Sequence, residues 1–332
     1  MRAVVLVGGF GTRLQPLTLD IPKQMLPIVG KPMIEHVVEH LSKHGITEVV
    51  LSLGFAPDVF QAAYPDGYCN EVPIHYAIEP EPLDTAGAIR FAAESANIKE
   101  TFLVLNGDVL TDLDIKKLVD FHKETKAEAS IHLIPVEDPS RYGVVPTDKS
   151  GRVAGFIEKP PPGESPTNWI NAGTYVLEPS VLKQIPIGQR VSVEKETFPA
   201  LAAESQLFAF KSETYWIDTG TPATYVQAQI DLLEGGVRGN SHKGVDPTSL
   251  INGEVAESVI GADVVIEKGA RIERSVILKG AKIEQGAVVS NSIIGFDSHI
   301  GQNAAIRSLS VIGHRVQIPT GTELNGMTVA ES

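Results

Sequence analysis

Three glycines and two cations make up the first chemically suggestive group in the chain. Gly8, Gly9 and Gly11 follow the apolar run Val4-Val5-Leu6-Val7, Arg13 stands just beyond them, and Lys23 comes after Pro22. Glycines at such a break let the backbone take positive φ and bring successive N–H groups close to a ligand. Arg13 adds a fixed positive charge and Lys23 a second cation that can return to the same loop, so the guest that fits is a phosphate. A tight structural turn explains the glycines but not the Arg and Lys bracketing them. Two familiar phosphate loops are excluded. The Walker pattern ends in Gly-Lys-Ser/Thr, whereas Gly11 is followed by Thr12-Arg13. The dinucleotide fingerprint needs a third glycine where this chain has Leu14.

Carboxylates supply the complementary chemistry. Asp108 follows Asn106-Gly107 at the end of an apolar run, behind a glycine that lets a ligand approach, and Asp218 follows Tyr215-Trp216-Ile217. Two strand-end carboxylates suit one divalent ion carried on phosphate oxygens; for either alone, a cap or Asx-turn is the competing reading. Lys159, in Glu158-Lys159-Pro160, and Asn171, in Ile170-Asn171-Ala172-Gly173, stand where strands meet loops. Each is placed to touch a substrate, although an isolated Lys or Asn is usually a surface or turn residue.

The elements that must position these groups follow from hydrophobic pattern. Residues 4–7 read as a buried parallel strand, residues 49–53, 74–78 and 102–105 as the next three, and 129–136 as a fifth. Shorter strands fall at 141–145 and about 153–157, and another at 169–177. Between them, Met33, Ile34, Val37, Val38 and Leu41 recur at helical spacing up to a stop at Gly45, and a second helix covers about 85–96. His36, His40 and His44 lie four apart on the first helix; with no accompanying carboxylate pattern they are expected on a solvated polar face. Alternating strands and helices predict an α/β, mostly parallel, doubly wound sheet, whose ligands sit at the carboxyl ends of the strands. That rule points to the glycine loop, to Glu79-Pro80-Glu81-Pro82-Leu83-Asp84-Thr85-Ala86-Gly87 and to Asn106-Gly107-Asp108.

Composition bounds the class. The chain has 332 residues, enough for two domains, with 42% hydrophobic and 21% charged residues. Its net charge of −13 argues against nonspecific nucleic-acid binding but leaves room for a nucleotide held by a local cluster of cations. A single cysteine, Cys69, excludes an internal disulfide framework and a cysteine cage for a metal, and fits a reducing cytosol; a buried small side chain is its expected role. No apolar stretch approaches about 20 residues and Met1-Arg2 leads straight into a strand, so neither a membrane span nor a signal peptide is expected, and the protein is expected in the cytoplasm.

From about residue 235 the pattern changes. Leu233-Glu234-Gly235-Gly236-Val237-Arg238-Gly239-Asn240 reads as a linker. Beyond it, Ser258-Val259-Ile260-Gly261, Ser275-Val276-Ile277-Leu278, Ser292-Ile293-Ile294-Gly295 and Ser310-Val311-Ile312-Gly313 open four units, 17, 17 and 18 residues apart. Within them aliphatics recur at every sixth residue, from Ile260, Ile266 and Ile272 to Ile312, Ile318 and Leu324. Three such sixes per coil predict a parallel β-helix with each aliphatic pointing inward. The expected organisation is therefore a catalytic domain over 1–235, a linker over 236–250 and a β-helix over 251–332. Coils with exposed edges also predict a homo-oligomer.

With these features assembled, the whole chain resembles the sugar-1-phosphate nucleotidyltransferases, a family with a Rossmann-like catalytic domain and often a left-handed β-helix behind it. The likeness rests on the GGFGTRL loop at 8–14, Pro22-Lys23, the segment 79–87, Asn106-Gly107-Asp108, Glu158-Lys159-Pro160, Ile170-Asn171-Ala172-Gly173 and Trp216-Ile217-Asp218-Thr219-Gly220. Within the family the chain is most similar to the mannose-1-phosphate guanylyltransferases, through VGGFGTRLQPLT, KPMIEH, NAGTYVLEPSVL and VSVEKETFP at 191–199. The resemblance implies a nucleoside triphosphate, GTP by preference, and a sugar 1-phosphate as substrates, with Mg²⁺ as cofactor. It implies Arg13, Lys23, Asp108 and Asp218 as catalytic residues, the two aspartates holding the metal. Leu6, Gly8, Gly9, Gly11, Thr12, Arg13, Lys23, Glu79, Pro82, Thr85, Ala86 and Gly87 would line the nucleotide. Gly143, Glu158, Lys159, Asn171, Gly173 and Trp216 would line the sugar phosphate.

Glu79 bears on the base, since a carboxylate can accept from both N1–H and the exocyclic amine of guanine, whereas uracil or thymine better suits an amide. The family's thymidylyl members usually carry Gln at the matching place. Asp84 departs from the family, which commonly has Gly before Thr-Ala-Gly, so this side chain must point away from a nucleotide or read a sugar hydroxyl. Three alternatives stand beside this reading: a thymidylyl- or uridylyltransferase, a non-catalytic subunit that binds nucleotide sugars, and acyl transfer by the coils, where His299 and His314 are the only histidines.

Overall fold

The computed structural model describes residues 1–233 and 243–331. The linker reading over 233–240 therefore lies, from residue 234 on, outside the described residues. Contacts divide the chain into two compact units. One comprises Met1–Gly9 and Glu35–Trp216, the other Phe10–Ile34 and Ile217–Ser332.

The first unit is built on a mixed, mostly parallel sheet. At its centre is β1 (Arg2–Leu6), whose Ala3, Val4 and Val5 are completely buried, which is why this strand reads as a continuous apolar run. Strand β2 (Glu48–Leu53) lies parallel on one side, in register Val4↔Val50, and β3 (Val72–Ile78) continues beyond it. On the other side runs β4 (Phe102–Asn106), again parallel, with Val4↔Val104. Later strands change the sense. In β5 (Ala129–Pro135), β6 (Gly143–Val144), β7 (Ile157–Glu158), β8 (Trp169–Leu177) and β9 (Leu207–Lys211), hairpin and loop connections replace most of the crossover helices. Strand β8 accordingly enters antiparallel to β4, β5 and β6. The order is β7-β6-β8-β4-β1-β2-β3, with β5 paired to β8 and β9 parallel to β5.

Helix α1 (Met33–Lys43) carries the expected apolar stripe, but the expectation for its histidines is corrected. His36 and His40 are buried, at 3% and 5% exposure, and His40 Nε2 is 3.0 Å from the Leu113 carbonyl. The helix is enclosed on more than one side, so its polar face shrinks to Glu35, Glu39, Ser42 and Lys43. Helix α2 (Asp84–Ser95) buries Ala86, Ile89, Ala92 and Ala93 in the cluster that holds Val4, Val50 and Val104. Helix α3 (Ile115–Thr125) is capped by Asp114, whose side chain accepts from Lys117 N. Cys69 is buried, and burial followed by the nearby Glu35 carboxylate pushes its thiol up to about 12.

In the second unit the coils form three parallel sheets of five strands each, as expected of a left-handed β-helix. One sheet stacks Ile260, Ile277, Ile294 and Ile312 in direct register. Of the twelve aliphatics at six-residue spacing, eleven are at most 6% exposed and Leu324 in the last coil is half-buried. The recurring serines have a part of their own. Ser258 Oγ accepts from Ser275 N at 3.0 Å and Ser275 Oγ from Ser292 N at 3.2 Å, so they form an internal ladder that satisfies buried amides from coil to coil. Pairing begins early, since Val245 bridges Ile260. Helix α4 (Pro222–Leu233) grips the hairpin Pro27–Ile28/Lys31–Pro32: Gln229 accepts from Val29 N at 2.7 Å and donates to Pro27 O at 2.8 Å.

Candidate active site

At the carboxyl ends of β1, β2 and β3 the backbone closes up around one carboxylate. A Cβ on Gly8 would lie 3.4 Å from Gly54 N and 3.5 Å from Glu79 Oε1, and one on Gly54 would lie 3.3 Å from Gly8 O. The contacts at Gly8 are ordinary ones and that at Gly54 is tight, so it is the glycine at 54 that eases this close approach. Glu79 is held by two donors, Ser52 Oγ to Oε1 at 3.0 Å and Leu83 N to Oε2 at 3.1 Å. Each oxygen keeps a further lone pair, so the carboxylate is fixed in direction yet still able to accept from a ligand. Gly9 and Pro82 are exposed, while Leu6 and Gly8 are half-buried.

Helix α2 begins with Asp84-Thr85-Ala86-Gly87. Asp84 sits at φ 58°, a left-handed conformation, which is the physical reason a glycine suits this position. Its side chain turns to Thr85 N at 2.8 Å and lies 3.7 Å from Arg190 Nε. Ala86 and Gly87 are buried and their amides donate to Val191 O. A Cβ on Gly87 would meet Gln189 O at 2.5 Å. The start of this helix is thereby locked to the segment 189–193.

Gly107 has a role different from the expected one. A Cβ there would meet Val7 Cγ1 at 2.6 Å and Leu6 O at 3.0 Å, and its amide donates to Leu6 O. The space a side chain would need is filled by β1 and the residue after it, so sheet packing imposes this glycine rather than ligand approach. Asp108, half-buried, follows it before the next short strand.

A second group gathers on β8. Its pairing with β5 shifts register between Asn171 and Tyr175, a bulge with Gly173 at φ 72°. A Cβ on Gly173 would strike the Asn106 side chain at 2.5 Å. The bulge re-aims Asn171, whose Oδ1 accepts from Gly173 N at 3.0 Å and whose Nδ2 donates to Tyr175 OH at 2.9 Å. Trp216 Nε1 donates to Ala172 O at 2.9 Å, so the indole braces the bulge from the side. Around Asn171 opens a cleft of about 180 Å³ lined by Gly143, Phe156, Glu158, Asn171, Glu194, Lys195 and Pro199. Glu158 lies across the strand pair from Gly143, and its Oε1 is 3.1 Å from the exposed Lys159 Nζ.

Under the cleft, Phe156 stacks on Phe198 and Tyr175 meets Phe198 edge-on at 4.9 Å. Burial, and then the Glu194 carboxylate, push the Tyr175 phenol well above its ordinary range. Glu194 and Lys195 belong to a turn of π-helix, Val193–Thr197, a rare form that recurs at functional sites.

In the second unit the remaining predicted residues fall close together. Gly11 is at φ 62° and opens the 3₁₀ turn Thr12–Leu14; Thr18 Oγ1 donates to Gly11 O at 2.8 Å. A Cβ on Gly11 would lie 3.1 Å from Thr18 Cγ2 and 3.3 Å from Lys23 Cβ, so the loop returns on itself here. Lys23 begins its own turn after Pro22. The exposed Arg13 brings NH2 to 3.8 Å from Asp218 Oδ2, while Gly220 N donates to Asp218 Oδ1 at 2.7 Å. A Cβ on Gly220 would lie 2.5 Å from the Arg13 guanidinium and 2.7 Å from Asp218 Oδ1, so a side chain there would displace the Arg13 end of this pair.

Comparison with known proteins gives this geometry a family. The model described as Nucleotidyl transferase matches residues 2–235, well over half of the chain. The chain belongs to the nucleotidyl transferase family. A second model, described as GMPPB C-terminal domain, matches residues 235–332. The nucleotidyl transferase is 41% identical to a mannose-1-phosphate guanylyltransferase of Mycobacterium tuberculosis over 82% of this chain and 79% of that one. It is 38% identical to mannose-1-phosphate guanylyltransferase 1 of Arabidopsis thaliana over 99% of this chain and 95% of the relative. Among solved structures, HddC from Yersinia pseudotuberculosis matches with a TM-score of 0.61 and 32% identity, covering 69% of this chain and 97% of that one. A further structure of that protein is a complex with GMP-PN, at a TM-score of 0.59.

In this nucleotidyl transferase, sequence reasoning missed Phe156, Glu194, Lys195 and Pro199 as lining residues. Three of them lie in VSVEKETFP, which carried family likeness but no chemical signal, because a π-turn has no sequence period to recognise. Among the described residues no group of three or more His, Cys, Asp or Glu is clustered for a metal, and no helix is long and apolar enough to cross a membrane.

Proposed function

We propose that this protein joins GTP to mannose 1-phosphate, releasing GDP-mannose and pyrophosphate, in the cytoplasm and as a homo-oligomer. The observation that carries the sugar-phosphate half is the cleft at Asn171. Carboxylates of Glu158 and Glu194 and the amide of Asn171 suit hydroxyl groups, while Lys195, and Lys159 beside Glu158, suit a phosphate. Gly143, Gly173 and Trp216 complete that set. The guanine reading rests on Glu79, anchored with lone pairs to spare, and on relatives named as guanylyltransferases. Leu6, Gly8, Gly9, Gly11, Thr12, Pro82, Thr85, Ala86 and Gly87 are the proposed nucleotide contacts or their supports. The proposed functional domains are 1–235 for catalysis and 251–332 for the coils, joined by 236–250.

The chemistry asks little of a general base. A phosphate monoester has its second pKa near ~6 and is already an anionic nucleophile at neutral pH. Catalysis is then positioning and charge neutralisation. Arg13 and Lys23 neutralise the triphosphate and the departing pyrophosphate. Lys159 holds the sugar phosphate, and Glu158 and Asn171 orient the sugar.

The donor set fits a hard cation. Asp108 and Asp218 offer only oxygen, the ligand type such an ion prefers, and Asp218 is oriented by the Gly220 amide. When bound, Mg²⁺ would be held by these two aspartates and would withdraw charge from the reacting phosphate oxygens. The deciding experiment is pyrophosphate release across a matrix of triphosphates and sugar 1-phosphates with Mg²⁺. GTP with mannose 1-phosphate is expected to give the highest kcat/KM, and a uridine or thymidine triphosphate ranking first would overturn the base assignment.

A further inference from the structure

The last full coil carries a histidine that faces not solvent but the loop that follows Arg13. His314 is 7% exposed, and both of its ring nitrogens are engaged. Nδ1 accepts from Phe296 N at 3.0 Å, a bond within the coils. An acceptor at Nδ1 places the ring proton on Nε2, which lies 3.0 Å from Leu17 O and donates to it. The neighbouring Gly313 packs on the same segment: a Cβ there would lie 2.9 Å from Pro16 Cγ. Leu17 in turn donates to Leu14 O, Leu14 donates to Gly11 O, and Thr18 Oγ1 donates to the same Gly11 carbonyl. A continuous chain of hydrogen bonds thus runs from the coil turn at Phe296 through His314 to the turn that presents Thr12 and Arg13.

We infer that His314 is a positioning residue for the triphosphate: its Nε2–H, donated to Leu17 O and backed by the contact of Gly313 with Pro16, sets the conformation of the Gly11–Arg13 turn. This role rests on the proposed function of Arg13 as a triphosphate contact. An exposed Arg on a short turn has many orientations, and fixing its turn beforehand reduces the ordering cost on binding. The charged groups around the ring are Arg315, Asp20 and Asp297, with Arg315 NH2 4.0 Å from Asp20 Oδ2 on the held segment. The coils therefore reach the Arg13 loop through His314, with Gly313 and Arg315 against the same segment.

Two isosteric variants separate the two bonds of the ring. His314→Asn keeps an acceptor near Nδ1 for Phe296 N but loses the donor to Leu17 O. His314→Gln keeps an amide donor near Nε2 and loses the bond inside the coils. Steady-state kinetics and thermal melting of the full-length protein are the readouts, with Arg13→Ala as the reference. Expected is a KM for GTP raised about fivefold in His314→Asn, the effect of one net hydrogen bond. The KM for mannose 1-phosphate should stay within twofold, and His314→Gln should restore the GTP value. Gly313→Ala, which presses on Pro16, should move the GTP KM in the same direction. The inference is overturned if Arg13→Ala raises the GTP KM while His314→Asn and Gly313→Ala leave it unchanged. It is overturned equally if both isosteric variants lower the melting temperature and shift both KM values together. Should Arg13→Ala itself leave the GTP KM unchanged, the triphosphate role of Arg13 fails, and a fivefold rise in His314→Asn without Gln rescue would remove the positioning role as well.

Discussion

Thr85 Oγ1 donates to Glu194 Oε2 at 3.0 Å and accepts from Val193 N at 2.8 Å. One hydroxyl thus joins the first turn of helix α2, where nucleotide contacts are proposed, to the π-turn that lines the Asn171 cleft. Ser192 Oγ, 3.2 Å from the same Glu194 oxygen, completes the arrangement. Glu194 is aimed by this pair of hydroxyls and not by its own backbone.

Thr85→Val keeps the shape and removes both bonds. The KM for sugar 1-phosphate is expected to rise by about five- to tenfold, the worth of roughly one net hydrogen bond, with Val193 N left unsatisfied. Thr85→Ser should restore it. Initial-rate measurements at saturating GTP check this, and an unchanged KM in the Val variant would show that Glu194 is aimed by other groups.

Asp108→Asn and Asp218→Asn test the metal assignment. Each should lower kcat by at least about 100-fold, near 2.7 kcal/mol of transition-state stabilisation, with the melting temperature little changed. In Asp218→Asn the Arg13 guanidinium also loses its charge partner, so KM for GTP should fall or hold rather than rise. Near-normal turnover in either variant would refute the assignment.

Glu79→Gln probes base choice with little damage to its surroundings. The amide oxygen can keep the bond from Leu83 N and the amide nitrogen can donate to Ser52 Oγ with the direction of that bond reversed. The kcat/KM ratio of GTP to UTP or dTTP should fall by about tenfold or more, about 1.4 kcal/mol. A ranking that does not move would mean that guanine is read elsewhere.

Acid stability should depend on His132. This residue is completely buried, its Nε2 lies 2.7 Å from Ser212 Oγ, and its Nδ1 has no hydrogen-bond partner. Burial pushes its pKa down to about 3. Because the folded value lies below the unfolded value of about 6.5, the neutral ring contributes stability that is present above about pH 6.5 and is lost as pH falls toward 3. Burial lowers His122 as well, in the same sense. Denaturant titrations between pH 7 and 4 should show a slope in His132→Phe that is shallower by about 1.4 kcal/mol per pH unit. Parallel slopes in the two proteins would show that His132 is not the group responsible.

Much of the architecture was legible because it is written in short-range pattern. The strand at 169–177 was expected at the bounds observed for β8, and helix α1 was marked by its apolar spacing. His36 and His40 show the limit of such reading. Their spacing describes one helix face, whereas their burial depends on what packs against it. Gly107 shows a related limit. A glycine beside Asp108 suggests ligand access in sequence, but its reason is the Val7 side chain and the Leu6 carbonyl across the sheet.

Local periodicity and covalent order specify one part of this protein. A six-residue repeat dictates coils, because each inward position recurs within one strand and a turn, and an apolar run broken by glycines dictates a strand end. Partnerships between residues far apart in the chain come instead from how the folded segments pack. Thr85 reaches Glu194 across 109 positions and His314 reaches Leu17 across 297. No period or motif encodes such pairs, because a hydrogen bond of 3.0 Å is set by how folded segments pack and not by their separation along the backbone.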